Sequence, residues 1–236
     1  LYQMKNILLL IMLCTSIFVA CSDDDDKDDD KPIDRGRLIN KITESYKNDS
    51  RPNEYTFEYD AQGRVTKRDA GGHVHTYTYT QNSIIFKDYY ENEFSVQIEY
   101  KLNDKGLITL ASETTSSDLA HPNVTNYTYN ENNQLINVGD ETLTWKDGNI
   151  VSIGTDSYTD YTYNQTEYNG YLLDLLLPGG SDNINLILMD YGYMGQRCKN
   201  LIATDSDGSY EYTFDKEGYI TKIVQGNWTY TITYKE

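Results

Sequence analysis

His73 and His75 stand two residues apart, a spacing that on an extended strand puts both imidazoles on one face. Two imidazoles begin a metal site, but a metal needs at least a third ligand, which only Asp69 or a carboxylate from a neighbouring strand would supply. The pair reads as the polar end of a hairpin at Gly71 and Gly72, and no metal or other cofactor is expected. Asp205, Ser206, Asp207 and Gly208, with Glu211, hold part of a calcium-loop pattern but lack the third acidic position before the glycine, which leaves a hairpin turn. Cys198 sits between Arg197 and Lys199, cations that favour a thiolate, yet no histidine accompanies it in sequence, and a buried or incidental cysteine is the simpler reading. G-x-S-x-G, H-E-x-x-H and phosphate-loop motifs are all missing. The 37 Asp and Glu residues contain many pairs that would suit a glycosidase acid and base, and nothing singles one out. No catalytic residue is assigned, and the chain is expected not to be an enzyme. The alternative is a glycan or peptide hydrolase working through paired carboxylates.

The tyrosines carry a stronger signal. There are 23 of them against 5 Phe and 2 Trp, so most of the large apolar side chains bear a hydroxyl that must be hydrogen-bonded or wet. Tyr77 with Tyr79, Tyr127 with Tyr129, Tyr161 with Tyr163, and Trp228 with Tyr230 each put two flat rings on one strand face, in rows that neighbouring hairpins extend across a sheet. Most such rings belong in a core. Any part of a row left open to water is a platform for sugar rings or for another protein, and these residues form the candidate ligand-binding set.

What must position them is a series of hairpins. Tyr55, Phe57 and Tyr59 alternate with Thr56 and Glu58, Asp60 to Gly63 is turn chemistry, and Val65 opens a returning strand. The phrase recurs from Tyr100 to Thr109, from Tyr127 to Ile136 and from Tyr212 to Thr221, with degenerate copies after Tyr79, Trp145 and Tyr163. Asp147-Gly148, Asp207-Gly208 and Gly226-Asn227 mark tight two-residue turns. Beyond the leader no helical period is sustained; Tyr171 to Leu177, stopped by Pro178, reads as a buried strand or a single helical turn. The expected fold is all-β and antiparallel, built of hairpins into one strongly curled sheet or open barrel. Thr, Lys and Glu alternate with the aromatics, which leaves no apolar outer band for a membrane-spanning barrel.

The N-terminal region gives an address. Lys5 precedes an apolar run from Ile7 to Ala20, short for a membrane span and of the right length for a secretory leader. The run closes on Phe18-Val19-Ala20-Cys21, which resembles the lipobox of bacterial lipoproteins; the resemblance makes Cys21 the lipidated N-terminus, although Phe18 and Val19 depart from the usual residues. Residues 22–31 hold seven Asp and two Lys, a self-repelling run that behaves as an extended tether. Directly after the lipidated cysteine such a run looks like the export signal that sends Bacteroidetes lipoproteins to the outer face of the outer membrane. The expected organisation is a signal peptide over 1–20, lipidated Cys21 with its tether over 21–36, and a single all-β domain over 37–236. With Cys14 in the leader and Cys21 on lipid, Cys198 has no disulfide partner. The 20 Lys and Arg against 37 Asp and Glu, a net charge of -17, exclude nucleic acid and anionic headgroups as partners and leave the lipid anchor as the contact with the membrane.

Aromatic-x-aromatic, Asp or Asn, two residues, Gly, x, aliphatic is similar to the YD repeat of the RHS family. Together with Cys21, the acidic run and the segment Gly195 to Leu201, the repeats resemble the Bacteroidetes lipoproteins grouped as domain of unknown function 4595. That resemblance implies a porin-like all-β fold and a surface location, and no activity. The expected function is a non-catalytic surface-exposed lipoprotein that binds a glycan or a protein partner.

Overall fold

The computed structural model describes residues 36–47, 51–154, 162–167, 170, 184–205 and 208–236, with the backbone alone at 163–167 and 205. Cys21, Tyr161, Ser206, Asp207 and the segment 171–177 lie outside the described residues. Eleven strands come first: β1 (Ile39–Tyr46), β2 (Asn53–Tyr59), β3 (Val65–Ala70), β4 (His73–Tyr79), β5 (Ser83–Tyr90), β6 (Glu93–Leu102), β7 (Ile108–Thr115), β8 (Asp118–Tyr129), β9 (Leu135–Val138), β10 (Glu141–Lys146) and β11 (Asn149–Ile153). Then follow β12 (Thr162–Glu167), a short helix α1 (Leu186–Asp190), β13 (Asn200–Asp205), β14 (Gly208–Phe214), β15 (Ile220–Gln225) and β16 (Trp228–Tyr234). All sixteen strands join one antiparallel sheet in the order β11 down to β1, then β16 down to β12. The sheet is nearly closed, with β11 and β12 flanking one seam. Beside it β11 reaches past β12 to the start of β13, where the Asn149 side chain accepts from Asn200 N at 2.9 Å and donates to Asn200 Oδ1 at 3.0 Å.

The repeated phrase has one structural form. In the turn after β2, Asp60 Oδ1 accepts from Gln62 N at 3.0 Å and Arg64 N at 2.9 Å, while Gly63 takes a φ of 73°. Asn103, Asn130 and Asp215 make the same pair of bonds, closed by Gly106, Asn133 and Gly218 at positive φ. Asp or Asn is needed first because its side chain replaces the backbone acceptor, and Gly or Asn fourth because the backbone turns left-handed there.

Each turn is followed by an aliphatic residue that is fully buried, and the neighbouring strand's last ring reaches back to its carbonyl. Tyr79 donates to Val65 O at 2.9 Å, Tyr129 to Ile108 O at 2.6 Å, Tyr234 to Ile220 O at 2.8 Å, and Trp145 Nε1 to Leu135 O at 2.7 Å. Tyr59 and Tyr212 do the same to Ile39 O and Ile202 O, both at 2.7 Å. These hydroxyls satisfy buried carbonyls at the end of the ladder, which explains why the ring is Tyr and not Phe.

The apolar face points inward. In β2, Phe57 is buried while Glu54, Thr56 and Glu58 are exposed, and in β16 Ile232 is buried between exposed Thr231 and Thr233. Outside, Lys41 pairs with Glu54 at 2.8 Å and Lys67 lies 3.6 Å from Glu58. On these strands the outer face is threonine and charge. The interior is filled at the repeat-turn end by α1, whose Ile187, Leu188 and Met189 are buried and whose start is capped by Asn185 Oδ1 accepting from Leu188 N at 3.1 Å. The following chain runs beneath the turns: Tyr191 donates to Gly63 O at 3.3 Å, Tyr193 O accepts from Ile108 N at 2.8 Å, Asn133 O accepts from Gln196 N at 2.9 Å, and Gly148 O accepts from Lys199 N at 3.0 Å. This segment plugs the barrel. No helix of the described residues is long and apolar enough to cross a membrane.

Candidate functional site in the barrel lumen

At the end opposite the repeat turns the inward residues change from aliphatic to polar and aromatic. Strand pairing builds the wall: His75 stands opposite Asp88, Tyr77 opposite Phe86, and Phe86 opposite Ile98. Further round the same wall Glu44 stands opposite Tyr230, and Tyr46 opposite Trp228. Depth decides burial. Tyr77 and Tyr100 are 4% and 2% exposed, whereas Tyr46 and Trp228 at the rim are 43% and 38% exposed.

The polar groups are interlocked. Arg68 Nη1 lies 3.3 Å from His75 Nδ1; a guanidinium only donates, so Nδ1 accepts and Nε2 carries the proton. That Nε2 is 3.3 Å from Asp88 Oδ1, but off the line a good hydrogen bond requires, since Oδ1 is buried with no donor in bonding geometry. His73 Nδ1 is 3.7 Å from the same oxygen. The Arg68 guanidinium also lies over the Tyr55 ring, 4.8 Å from its centre, and Tyr55 donates to Glu44 at 2.6 Å. Burial first, then Glu44, pushes the Tyr230 hydroxyl up to about 12, and burial drives the Tyr55 and Tyr127 hydroxyls well above their ordinary value.

Below this layer lies a half-open cavity of about 160 Å³ lined by His75, Tyr77, Phe86, Ile98, Tyr100, Ile184, Asn185 and Leu186. Asn185 Nδ2 donates to Tyr77 Oη at 3.4 Å. The floor is the start of the plug, so the cavity is blind.

The structure redistributes the candidate rings. Tyr77 and Tyr127, each 4% exposed, sit in the core, Tyr77 also lining the cavity. Tyr79 and Tyr129 are half-buried latches with their hydroxyls on Val65 and Ile108. Tyr230 lines the lumen, and Trp228 is exposed at the rim, packed edge-on against Tyr46 with ring centres 4.8 Å apart. Tyr161 is outside the described residues and Tyr163 is described by its backbone alone, on β12. Among the described side chains the rings form no single row: depth along each strand separates core, latch and rim. Of the metal candidates, Asp69 lies 3.5 Å from Lys67 Nζ, on the outward side of β3, while Asp88 is the carboxylate beside the histidines; no three His, Cys, Asp or Glu side chains converge on a metal position among the described residues. Cys198 is buried, its Sγ accepting from Ile150 N at 3.4 Å. Arg68, Asp88, Glu44 and Asn185 were not singled out from sequence. Pairing β4 with β5 across the Thr80 turn would have found Asp88, and Asn185 ahead of Leu-Ile-Leu-Met is a helix-cap signal.

No protein-family pattern and no curated protein matches the chain. Among solved structures, a porin-like protein from Bacteroides uniformis ATCC 8492 superposes with a TM-score of 0.60 at 15% identity, over 87% of this chain and 99% of that one. A porin-like protein from Bacteroides vulgatus ATCC 8482 aligns over 85% of this chain and 99% of that one, at 12% identity and a TM-score of 0.36. The first likeness establishes a shared all-β barrel-like fold.

Proposed function

We propose that the protein is a non-catalytic binding module, carried by lipid on Cys21 at the outer face of the outer membrane, that takes a glycan at the mouth of its barrel. The observation that carries this reading is the graded lumen: a closed aliphatic end, then polar and aromatic groups, then an exposed Tyr46–Trp228 pair at the rim. Flat rings beside interlocked donors and acceptors suit sugars, whose carbon faces stack while their hydroxyls exchange hydrogen bonds. The outer face of threonine and charge suits water and not lipid tails, so the barrel stands clear of the bilayer. Orientation agrees. Arg37, at the entry to β1, pairs with Asp215 at 2.7 Å and lies over the Tyr234 ring, so the chain enters at the plugged end and the mouth faces away from the tether's attachment. A porin-like channel role fits poorly with the buried plug.

The test is a glycan and surface-protein screen with the full-length lipidated protein in detergent. Glycan binding that falls when Trp228 or Tyr46 is changed to Ala supports the reading, with losses of roughly 1 to 3 kcal/mol for a central anchor. Capture of a protein in place of a glycan, or turnover of a glycan or peptide abolished by substituting Glu44 or Asp88 and indifferent to the rim rings, overturns it.

A further inference from the structure

Resting on the glycan reading, we infer that the blind cavity beneath His75 receives a single neutral sugar ring, the end residue of a chain, and so makes the protein a reader of glycan termini. Size limits the occupant first. A cavity of about 160 Å³ is close to the ~150 Å³ that takes one benzene ring in an engineered core; a hexopyranose is bulkier than benzene, so one sugar ring seats there only with part of it standing out through the half-open mouth, and a second does not enter. Shape limits it next. Ile184, Asn185 and Leu186 close the bottom, so a chain cannot pass through and only an end can be presented.

The lining sets the chemistry. Phe86, Ile98 and the ring faces of Tyr77 and Tyr100 offer apolar surface, while the Asn185 amide, the two tyrosine hydroxyls and the His75 imidazole offer uncharged hydrogen-bonding groups. Apolar walls with neutral polar corners match a pyranose, apolar on its faces and hydroxylated at its edge. A charged sugar is disfavoured. The inward carboxylates Glu44, Asp88 and Glu113 outnumber Arg68, and Arg68 is already held at His75 Nδ1 and over Tyr55. Among the described residues a uronic acid would meet three inward carboxylates against one guanidinium, a net negative potential.

The experiment titrates the full-length protein in detergent with methyl glycosides of glucose, galactose and mannose, with glucuronic acid, and with linear and cyclic oligosaccharides of one neutral sugar. Ile98→Trp and Leu186→Trp each fill the cavity from a different wall, and circular dichroism confirms that the variant tested is folded. At least one neutral glycoside and its linear oligomer are expected to bind, the cyclic oligomer and the uronic acid are not, and a folded filling variant is expected to lose about tenfold or more in affinity. Binding that survives a folded filling variant, binding of the cyclic oligomer, or preference for the uronic acid overturns this inference while leaving a glycan-binding module elsewhere on the barrel. Failure of every glycan in the wider screen overturns both readings.

Discussion

Removing one hydroxyl should measure what the tyrosine latches contribute. Tyr129→Phe keeps the ring but deletes the donor 2.6 Å from Ile108 O, and Ile108 is fully buried, so no water replaces it. A buried carbonyl stripped of its partner costs about 1 to 3 kcal/mol. For a chain of this size, each kcal/mol lowers Tm by roughly 2 to 4 °C. The same change at Tyr90, 50% exposed, should fall within about 0.5 kcal/mol of zero and serves as the control. Latches on separate strands act independently, so Tyr59, Tyr79, Tyr129 and Tyr212 changed together should lose about 4 to 12 kcal/mol, comparable to the whole stability of an ordinary domain. The assay is urea unfolding followed by far-ultraviolet circular dichroism, with an unchanged slope confirming that only stability has moved. A quadruple variant that folds and melts like the parent would refute the latch, and the excess of Tyr over Phe would need another cause.

Gly148→Val should cost about 1 kcal/mol or more in thermal unfolding, because Gly148 holds a φ of 81° in the tight turn between β10 and β11. Burial raises the Tyr234 hydroxyl from its ordinary 10.0 to about 12 and raises Tyr59, Tyr79 and Tyr129 as well, so the neutral forms stabilise the fold. A raised folded pKa gives stability that is complete below pH 10.0 and lost as pH climbs through about 12; tyrosinate absorbance should therefore rise together with loss of β signal, and ring ionisation without unfolding would contradict this. Cys21→Ala should move the protein from the membrane fraction to the soluble one, since lipid on that residue is the proposed anchor.

The sheet was legible because its signals are local. Alternation of Tyr and Phe with Thr and Glu fixes which face turns inward, and Asp60 with Gly63 fixes where the strand reverses, all within a dozen residues. The plug was not legible: α1 has five residues, too few to show a helical period, and its burial comes from the barrel around it. The depth of each candidate ring was hidden for a related reason. Tyr77 and Trp228 have the same local pattern, yet one is core and the other rim, because depth along the lumen is set by where each strand meets the plug. Asp88 reaches His75 through strand pairing, which spacing along the chain does not display.

The position of β1 beside β16 governs how the barrel can assemble. Among the described strands, every other pairing joins strands consecutive in the chain, and all of these except β12 with β13, which residues 168–199 separate, are hairpins that can form as soon as their residues are free. Closure of β1 on β16 cannot begin until Tyr234 is available, because Ile39 is its partner in the ladder. The entropy of that final closure rises only with the logarithm of loop length, about 0.6 kcal/mol per doubling, so waiting for the last strand costs the finished fold little. It does set the order of events, with local hairpins first and the β1–β16 junction, the longest in sequence, last.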